Sequence, residues 1–186
     1  MTDVRLPKGA VRVLGGAASR LAMLAELARL QGRIVHAGNA DARAREVRTT
    51  LVVIAEHFDA GMDWGEWHER AKATHAAFEK ELAWLASPST GLLLAYTDAR
   101  SSRSRKEVRA GVRDVIAGFS QVAATRPGIE FTLNGLEVPT ETDHLRLYER
   151  LLEYLARRSA LSSGIVASIE DLEDQSIARA LTNYLV

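Results

Sequence analysis

The sequence predicts an all-α fold, a helical bundle of five or six main helices with one inserted β-hairpin at about residues 129–138. Apolar residues recur every three or four positions along most of the chain, which is the spacing of one helix face. Patterns typical of helix starts precede several of these segments. One stretch instead alternates apolar and polar residues around an Asn-Gly pair. Neither a linker nor an internal repeat divides the 186 residues, so we expect one helical domain spanning 1–186.

The first two predicted helices precede residue 60. Leucines at helical spacing predict a first helix over about 19–35, and the Gly38-Asn39 pair that follows suits a helix stop. Asp41 is placed to cap a second helix. The apolar side chains that predict this second helix are Val47, Leu51, Ile54, Ala55 and Phe58.

Two capping-box patterns predict the next long helices. The first, DWGE at 63–66, opens a helix that we expect to run to about residue 86. The second, SRKE at 104–107, opens a helix that ends at the RPG sequence of 126–128. Between them, the run GLLLAY at 91–96 is too short to type by periodicity, and we interpret it as a short helix.

The hairpin prediction rests on residues 129–138, IEFTLNGLEV. An Asn-Gly pair supplies the two positive-φ positions of a type I′ turn, so Asn134-Gly135 predicts a two-residue hairpin connection that Pro139 closes. Because an isolated hairpin is marginal in water, it must pack on the helices or on another chain. Two further helices are expected after it, from about residue 140 and from about residue 168.

Composition excludes several classes of function. The chain carries 24 basic and 24 acidic residues, so any electrostatic argument depends on local patches rather than on net charge. With no cysteine, it offers neither a thiolate nucleophile nor a thiolate metal site. The histidine spacing fits no metal-binding pair, and we expect neither metal nor cofactor. No apolar stretch predicts a signal peptide or a membrane span, and the cytoplasm is the expected compartment.

The leading candidate site is a basic segment at the start of the helix predicted from residue 104. Its members are Arg100, Arg103, Arg105, Lys106, Arg109 and Arg113. Cations at a helix N-terminus oppose the helix dipole, and a bound phosphate would remove this conflict because helix amides and guanidinium groups would both contact it. The alternative is a solvated face with salt bridges to acids of a neighbouring helix. Tyr96 is the only aromatic residue close in sequence, which disfavours base stacking.

From this segment we expect a non-enzymatic binding protein that holds an anionic partner within a larger assembly. The partner is the phosphate backbone of nucleic acid, RNA included, or another phosphate. Such binding would fall steeply with salt, because it releases counterions.

A second hypothesis comes from Arg70-Ala71-Lys72-Ala73-Thr74-His75, an arginine followed by four residues and a histidine. This spacing resembles the signature of HEPN domains, small helical domains of which many cleave RNA. The resemblance implies a ribonuclease in which Arg70 holds the scissile phosphate and His75 serves in acid–base chemistry or orients the site. It covers six of the 186 residues, and Ala71 stands where the family commonly has a polar residue.

A third hypothesis is a protein–protein scaffold. Trp64, Trp67 and Trp84 all fall on the long helix predicted from residue 63. Their stripe fits a core position, but tryptophan is also favoured at interfaces. A homo-oligomer or a protein partner would then bind through this helix or through the edge of the hairpin.

Overall fold

The chain is an α/β fold built on a parallel sheet, as its computed structural model shows, so the all-α prediction of five or six helices is wrong. The structure describes residues 10–22, 25, 26, 29, 35–37, 48–58, 62–98, 105–140, 142, 147, 150, 151, 154, 163–172, 176, 177, 179 and 180. Its strands are β1 (Ala10–Leu14), β2 (Val35–Ala37), β3 (Thr49–Phe58), β4 (Leu85–Thr97), β5 (Phe131–Pro139) and β6 (Val166–Ser168). The helices whose two ends lie within the described residues are α1 (Trp64–Glu81), α2 (Arg105–Ala124) and short 3-10 helices at Ala18–Leu21, Leu82–Trp84 and Ile169–Leu172.

The strands of the described residues form one six-stranded sheet in the order β2-β1-β3-β4-β5-β6, and every neighbouring pair is parallel. Parallel neighbours need a crossover connection. The helix α1 connects β3 to β4, and α2 connects β4 to β5. Both helices therefore begin at the carboxyl edge of the sheet, where the strands end. The chain leaves β1 for β2 on one side and returns to β3 on the other, so the strand order reverses between β1 and β3.

Both faces of the sheet are buried. Residues of β3 show the division, because Leu51 and Val53 belong to one apolar cluster while Val52 and Ile54 belong to another. Side chains of α1 and α2 belong to the second cluster, so these two helices cover the same face. A parallel strand that is buried on both faces carries a nearly continuous apolar run instead of an alternating one.

This double burial explains why β3 and β4 were wrongly predicted to be helical. In β3, TTLVVIAEHF, apolar residues occupy successive positions, so they fit helical spacing as well as strand spacing. The β-branched residues in it favour a strand. The run GLLLAY is likewise buried throughout and forms the carboxyl half of β4. The second predicted helix and the short helix at 91–96 are therefore corrected to two central strands.

The predicted hairpin at 129–138 is wrong as well, because these residues contribute to the single strand β5. Asn134 is buried: its Nδ2 donates to the Tyr154 hydroxyl at 3.2 Å, and its Oδ1 accepts from the Ile165 amide at 3.0 Å. Gly135 lies under α2, since a β-carbon there would lie 2.8 Å from Ile116 Cδ1. The Asn-Gly pair thus serves side-chain hydrogen bonding and close helix packing within an extended strand.

The helices predicted from the two capping-box patterns are confirmed as α1 and α2. The box of α1 is complete: the Glu66 amide donates to Asp63 Oδ1 at 2.8 Å, and the Asp63 amide donates to Glu66 Oε2 at 3.4 Å. Ser104 lies outside the described residues. The helix α1 ends at Glu81 instead of near residue 86, because β4 already begins at Leu85.

The three remaining predicted helices are described in part. The bounds of two are wrong, because Val35, where the first was predicted to end, lies in β2, and Ser168, near which the last was predicted to begin, ends β6. Backbone of helical type is found at residues 22, 25, 26 and 29, at 147, 150, 151 and 154, and at 177, 179 and 180. No helix within the described part of the chain combines the length and the apolar character that a membrane span requires.

Candidate functional site

The carboxyl edge of the sheet at β1 and β3 is the place where this architecture favours a ligand. In open parallel sheets, ligands bind in the crevice outside the carboxyl ends of the strands, at the point where the strand order reverses. That point lies between β1 and β3 in this chain. We call it the switch-point crevice, formed by the turn at 15–17, the end of β3 at 56–57 and Arg20.

The turn after β1 is in tight contact with β3. Gly15 has a φ of +99°, and a β-carbon there would lie 2.2 Å from the carbonyl oxygen of Ala55. The same oxygen accepts a hydrogen bond from the Ala17 amide at 2.9 Å. Only glycine combines the left-handed backbone with this close approach at position 15.

A buried carboxyl group fills the space beside this turn. Glu56 is 5% exposed, and its Oε2 accepts from the Gly16 amide at 3.1 Å. Its other oxygen accepts from the hydroxyl of Thr74 on α1. Burial raises the pKa of Glu56, while the hydrogen bonds from Thr74 and Gly16 and the charge of Arg70 act in the opposite direction. The Glu56 side chain is therefore held from two sides against the turn.

Arg20 forms a second polar cluster, on the face of the sheet that carries Tyr96. Its Nε donates to His57 Nε2 at 3.4 Å, and its Nη1 donates to the carbonyl oxygen of Thr140 at 3.5 Å. The guanidinium carbon lies 5.0 Å from the centroid of the Tyr96 ring, within range of a cation–π contact. Tyr96 is buried, whereas Arg20 and His57 remain partly exposed. These contacts fix the orientation of a cation at the crevice.

A third polar group lies further along the same edge. Glu137 is in register with Ala95, which is itself in register with Glu56. With neighbouring strands about 4.8 Å apart, Glu137 lies two strand spacings from Glu56. The Nε of Arg109 on α2 donates to Glu137 Oε2 at 3.2 Å, and the two side chains are 24% and 7% exposed. Arg109 thereby neutralises a buried carboxylate at the carboxyl end of β5.

The predicted basic segment begins α2 at this carboxyl edge. Arg105 and Lys106 are its first two residues, and Arg113 is exposed two turns along the helix. Arg109 contacts the sheet through Glu137 of β5. Three of the predicted arginines therefore lie on one helix, with one of them paired to an acid of a strand rather than to an acid of a neighbouring helix. The two members that lie outside the described residues are Arg100 and Arg103.

The second predicted pair, Arg70 and His75, is divided between two environments. His75 lies between the helices: its Nε2 is 3.2 Å from the carbonyl oxygen of Val115, and its ring meets the edge of Phe119 with centroids 4.1 Å apart. Arg70 is exposed on α1, with its charge near Glu56. HEPN domains are helical and this chain is α/β, so the resemblance does not extend to the fold.

The tryptophans are divided between core and surface. Trp67 is buried against α2, where a β-carbon on Gly111 would lie 1.6 Å from its Cη2. Trp64 is 50% exposed and packs on Trp67 with ring centroids 4.8 Å apart. Trp84 lies in the 3-10 helix after α1, so the prediction that one helix holds all three is corrected.

Sequence reasoning missed Arg20 and Glu56 as site residues. The signal that could have found them is the Gly15-Gly16 pair directly after the mostly apolar segment AVRVL, which is typical of a strand that ends in a tight turn. Once β1 is recognised as a strand, the residues after it fall on the carboxyl edge. Among the described residues, no three metal-ligating side chains gather at this edge or elsewhere.

Comparison with known proteins adds no assignment. No family model matches the sequence, and no curated protein matches it either.

Proposed function

We propose that this chain is a non-enzymatic binding domain that holds a small phosphate-bearing ligand in the switch-point crevice, with Arg20 as the contact to the anion. The observation that carries the proposal is the oriented, partly exposed guanidinium of Arg20 at the carboxyl edge beside this point, where it contacts His57 and Tyr96 near the ends of β3 and β4 and Thr140 directly after β5. The forked donors of arginine match the oxygens of phosphate better than the single ammonium of lysine does. A cytoplasmic location is part of the proposal.

The start of α2 supports the same ligand chemistry. Arg105 begins the helix at the carboxyl edge, where unpaired helix amides and the helix dipole favour an anion. Arg109 pairs with Glu137, so it is not assigned to the anion. The phosphate backbone of a nucleic acid presents the same group, so it forms a separate arm of the test.

The test compares Arg20→Gln with Arg126→Gln. Arg126 is exposed just after α2 ends, at the opposite, amino edge of the sheet, so it controls for the loss of one positive charge. Binding of inorganic phosphate is measured by titration calorimetry at low salt and across a salt series. A charge-assisted hydrogen bond contributes about 1.5–3 kcal/mol, so Arg20→Gln should weaken phosphate binding about tenfold or more. Arg126→Gln should leave it unchanged.

Single-stranded RNA is titrated in parallel against the same proteins and against Arg105→Gln. If RNA binds with a steep salt dependence that Arg105→Gln reduces and Arg20→Gln does not, the partner is a nucleic-acid backbone at the start of α2 and the crevice proposal is wrong. Absence of phosphate binding to the wild type at low salt would also overturn the proposal.

A further inference from the structure

We infer that Glu56 determines which ligands the switch-point crevice accepts: it closes the turn at 15–17 to phosphate, so the ligand carries one anionic group at Arg20 and no pyrophosphate across the turn. The inference rests on the proposed function, since it specifies the ligand class of the same crevice. In crevices of this architecture, the amides of the turn after the first strand commonly bind a pyrophosphate.

Two amides of this turn, those of Gly16 and Ala17, are already occupied. The Gly16 amide donates to Glu56 Oε2 at 3.1 Å, and the Ala17 amide donates to the carbonyl oxygen of Ala55 at 2.9 Å. A phosphate oxygen at either amide would have to displace one of these bonds. The second bond joins two backbone groups and holds the turn against β3. A phosphate could therefore displace only the Glu56 bond without moving the backbone.

The side chain of Glu56 is fixed where it lies. It is 5% exposed, so turning it outward would require the packing around it to open. Thr74 donates to its other oxygen from α1, and the positive charge of Arg70 lies on the same helix. Both contacts favour the carboxylate in its present position over one that vacates the Gly16 amide.

The charge of Glu56 acts in the same direction as its position. A phosphate at the turn would approach a buried carboxylate, and like charges repel strongly where water is largely excluded. The sequence agrees with this interpretation. A dinucleotide-binding turn that began at Gly15 would have glycines at 17 and 20, and this chain has Ala17 and Arg20 there. Arg20, the proposed contact to the anion, thus occupies the position of a glycine that pyrophosphate binding would need.

The experiment compares inorganic phosphate with ADP on the wild type, Glu56→Gln, Glu56→Ala and a control, Glu130→Gln. Glu130 is an exposed carboxylate directly before β5, at the amino edge of the sheet, so its variant controls for the loss of one negative charge away from the turn. In the wild type, ADP should bind no more tightly than phosphate. Glu56→Ala should raise the affinity for ADP about tenfold, with phosphate affinity unchanged, because an anion gains the Gly16 amide and loses a repulsive charge. Glu56→Gln should raise it less, because its side-chain oxygen still accepts from the Gly16 amide and only the charge is lost. Glu130→Gln should raise neither affinity.

The outcomes separate this inference from the proposed function. Wild-type protein that binds ADP about tenfold more tightly than phosphate would overturn the role of Glu56 while leaving the proposed function intact. Failure of both Glu56 variants to gain ADP affinity would overturn it as well. If the wild type binds neither probe, the proposed function is wrong, but a gain of ADP binding in the Glu56 variants would still support closure of the turn. Glu56→Ala keeps the test informative if the amide variant does not fold.

Discussion

A buried ion pair joins strand β1 to the end of helix α1. Arg12 on β1 donates from Nη2 to Glu81 Oε1 at the last residue of α1, with side chains 6% and 14% exposed. Burial lowers the pKa of Arg12, and the charge of Glu81 opposes that shift. Among the described residues, the Nε of Arg12 is buried without a hydrogen-bond partner. Arg12 therefore depends on Glu81 for most of its compensation.

We expect Glu81→Gln to lower the free energy of unfolding by about 3–5 kcal/mol, because it leaves a buried guanidinium without its counter-charge. Arg12→Met should cost less, about 1–3 kcal/mol, since Glu81 is the more exposed partner and is able to reach water. The double variant Arg12→Met/Glu81→Gln removes both desolvated charges and closes the cycle, so its stability should lie within about 2 kcal/mol of the wild type. The coupling energy should therefore be at least about 2 kcal/mol.

Urea unfolding of the four proteins at neutral pH measures these values. Repeating the series in high salt is the control, because a buried pair is screened far less than an exposed one. The exposed pair Lys72–Glu69 on α1 provides the comparison, and breaking it should leave the urea midpoint close to that of the wild type. The reasoning is refuted if Glu81→Gln unfolds within about 0.5 kcal/mol of the wild type or if the two single changes are additive.

Three further predictions concern helix packing, the corrected hairpin and pH. Gly111→Ala would place a β-carbon 1.6 Å from Trp67 Cη2. Urea unfolding should therefore show a free energy of unfolding lower by about 1–2 kcal/mol, despite the better helix propensity of alanine. A stabilised variant would contradict this packing. Asn134→Ala leaves the buried Tyr154 hydroxyl and the Ile165 amide without a partner, and we expect a loss of about 2 kcal/mol or more; a loss below about 0.5 kcal/mol would favour an exposed turn. Burial raises the pKa of Glu56 above 4.5 in the folded state. Folding stability should therefore fall as the pH rises from 4.5 through the raised pKa. The loss should be about 1.4 kcal/mol for each pH unit that separates the folded and unfolded pKa values. Glu56→Gln should flatten the dependence of folding stability on pH in this range. An unchanged slope would show that other groups cause the dependence.

Sequence reasoning succeeded where structure depends on neighbours a few residues apart. The capping box of Asp63 and Glu66 is a local device, and it predicted the start of α1 correctly. It failed at β3 and β4, because burial on both faces of a parallel sheet removes the alternation that distinguishes a strand from a helix. It failed again at Asn134-Gly135, where the same two residues that make a turn serve a distant tyrosine and a distant helix.

The candidate site was missed for the same reason. Arg20 contacts His57, 37 positions away, and Gly16 contacts Glu56, 40 positions away. Neither pair has a fixed spacing that a motif could encode, because both depend on β1 and β3 being neighbours in the sheet. The predicted arginines Arg105 and Arg109 were found from their helical spacing alone, but that spacing does not reveal that Glu137 neutralises Arg109.

The two groups that border β3 at the crevice carry opposite charges, and this polarity restricts the ligands that fit. Adjacent residues of a strand point to opposite faces, so Glu56 and His57 divide the end of β3 between an acid on the α1 face and the Arg20 cluster on the other. A ligand that spreads negative charge across both faces would meet attraction on one side and repulsion on the other. A ligand with one phosphate at Arg20 avoids the carboxylate of Glu56 on the other face. Under the proposed function, the turn and Arg20 would therefore act as two sites with opposite preferences for a phosphate.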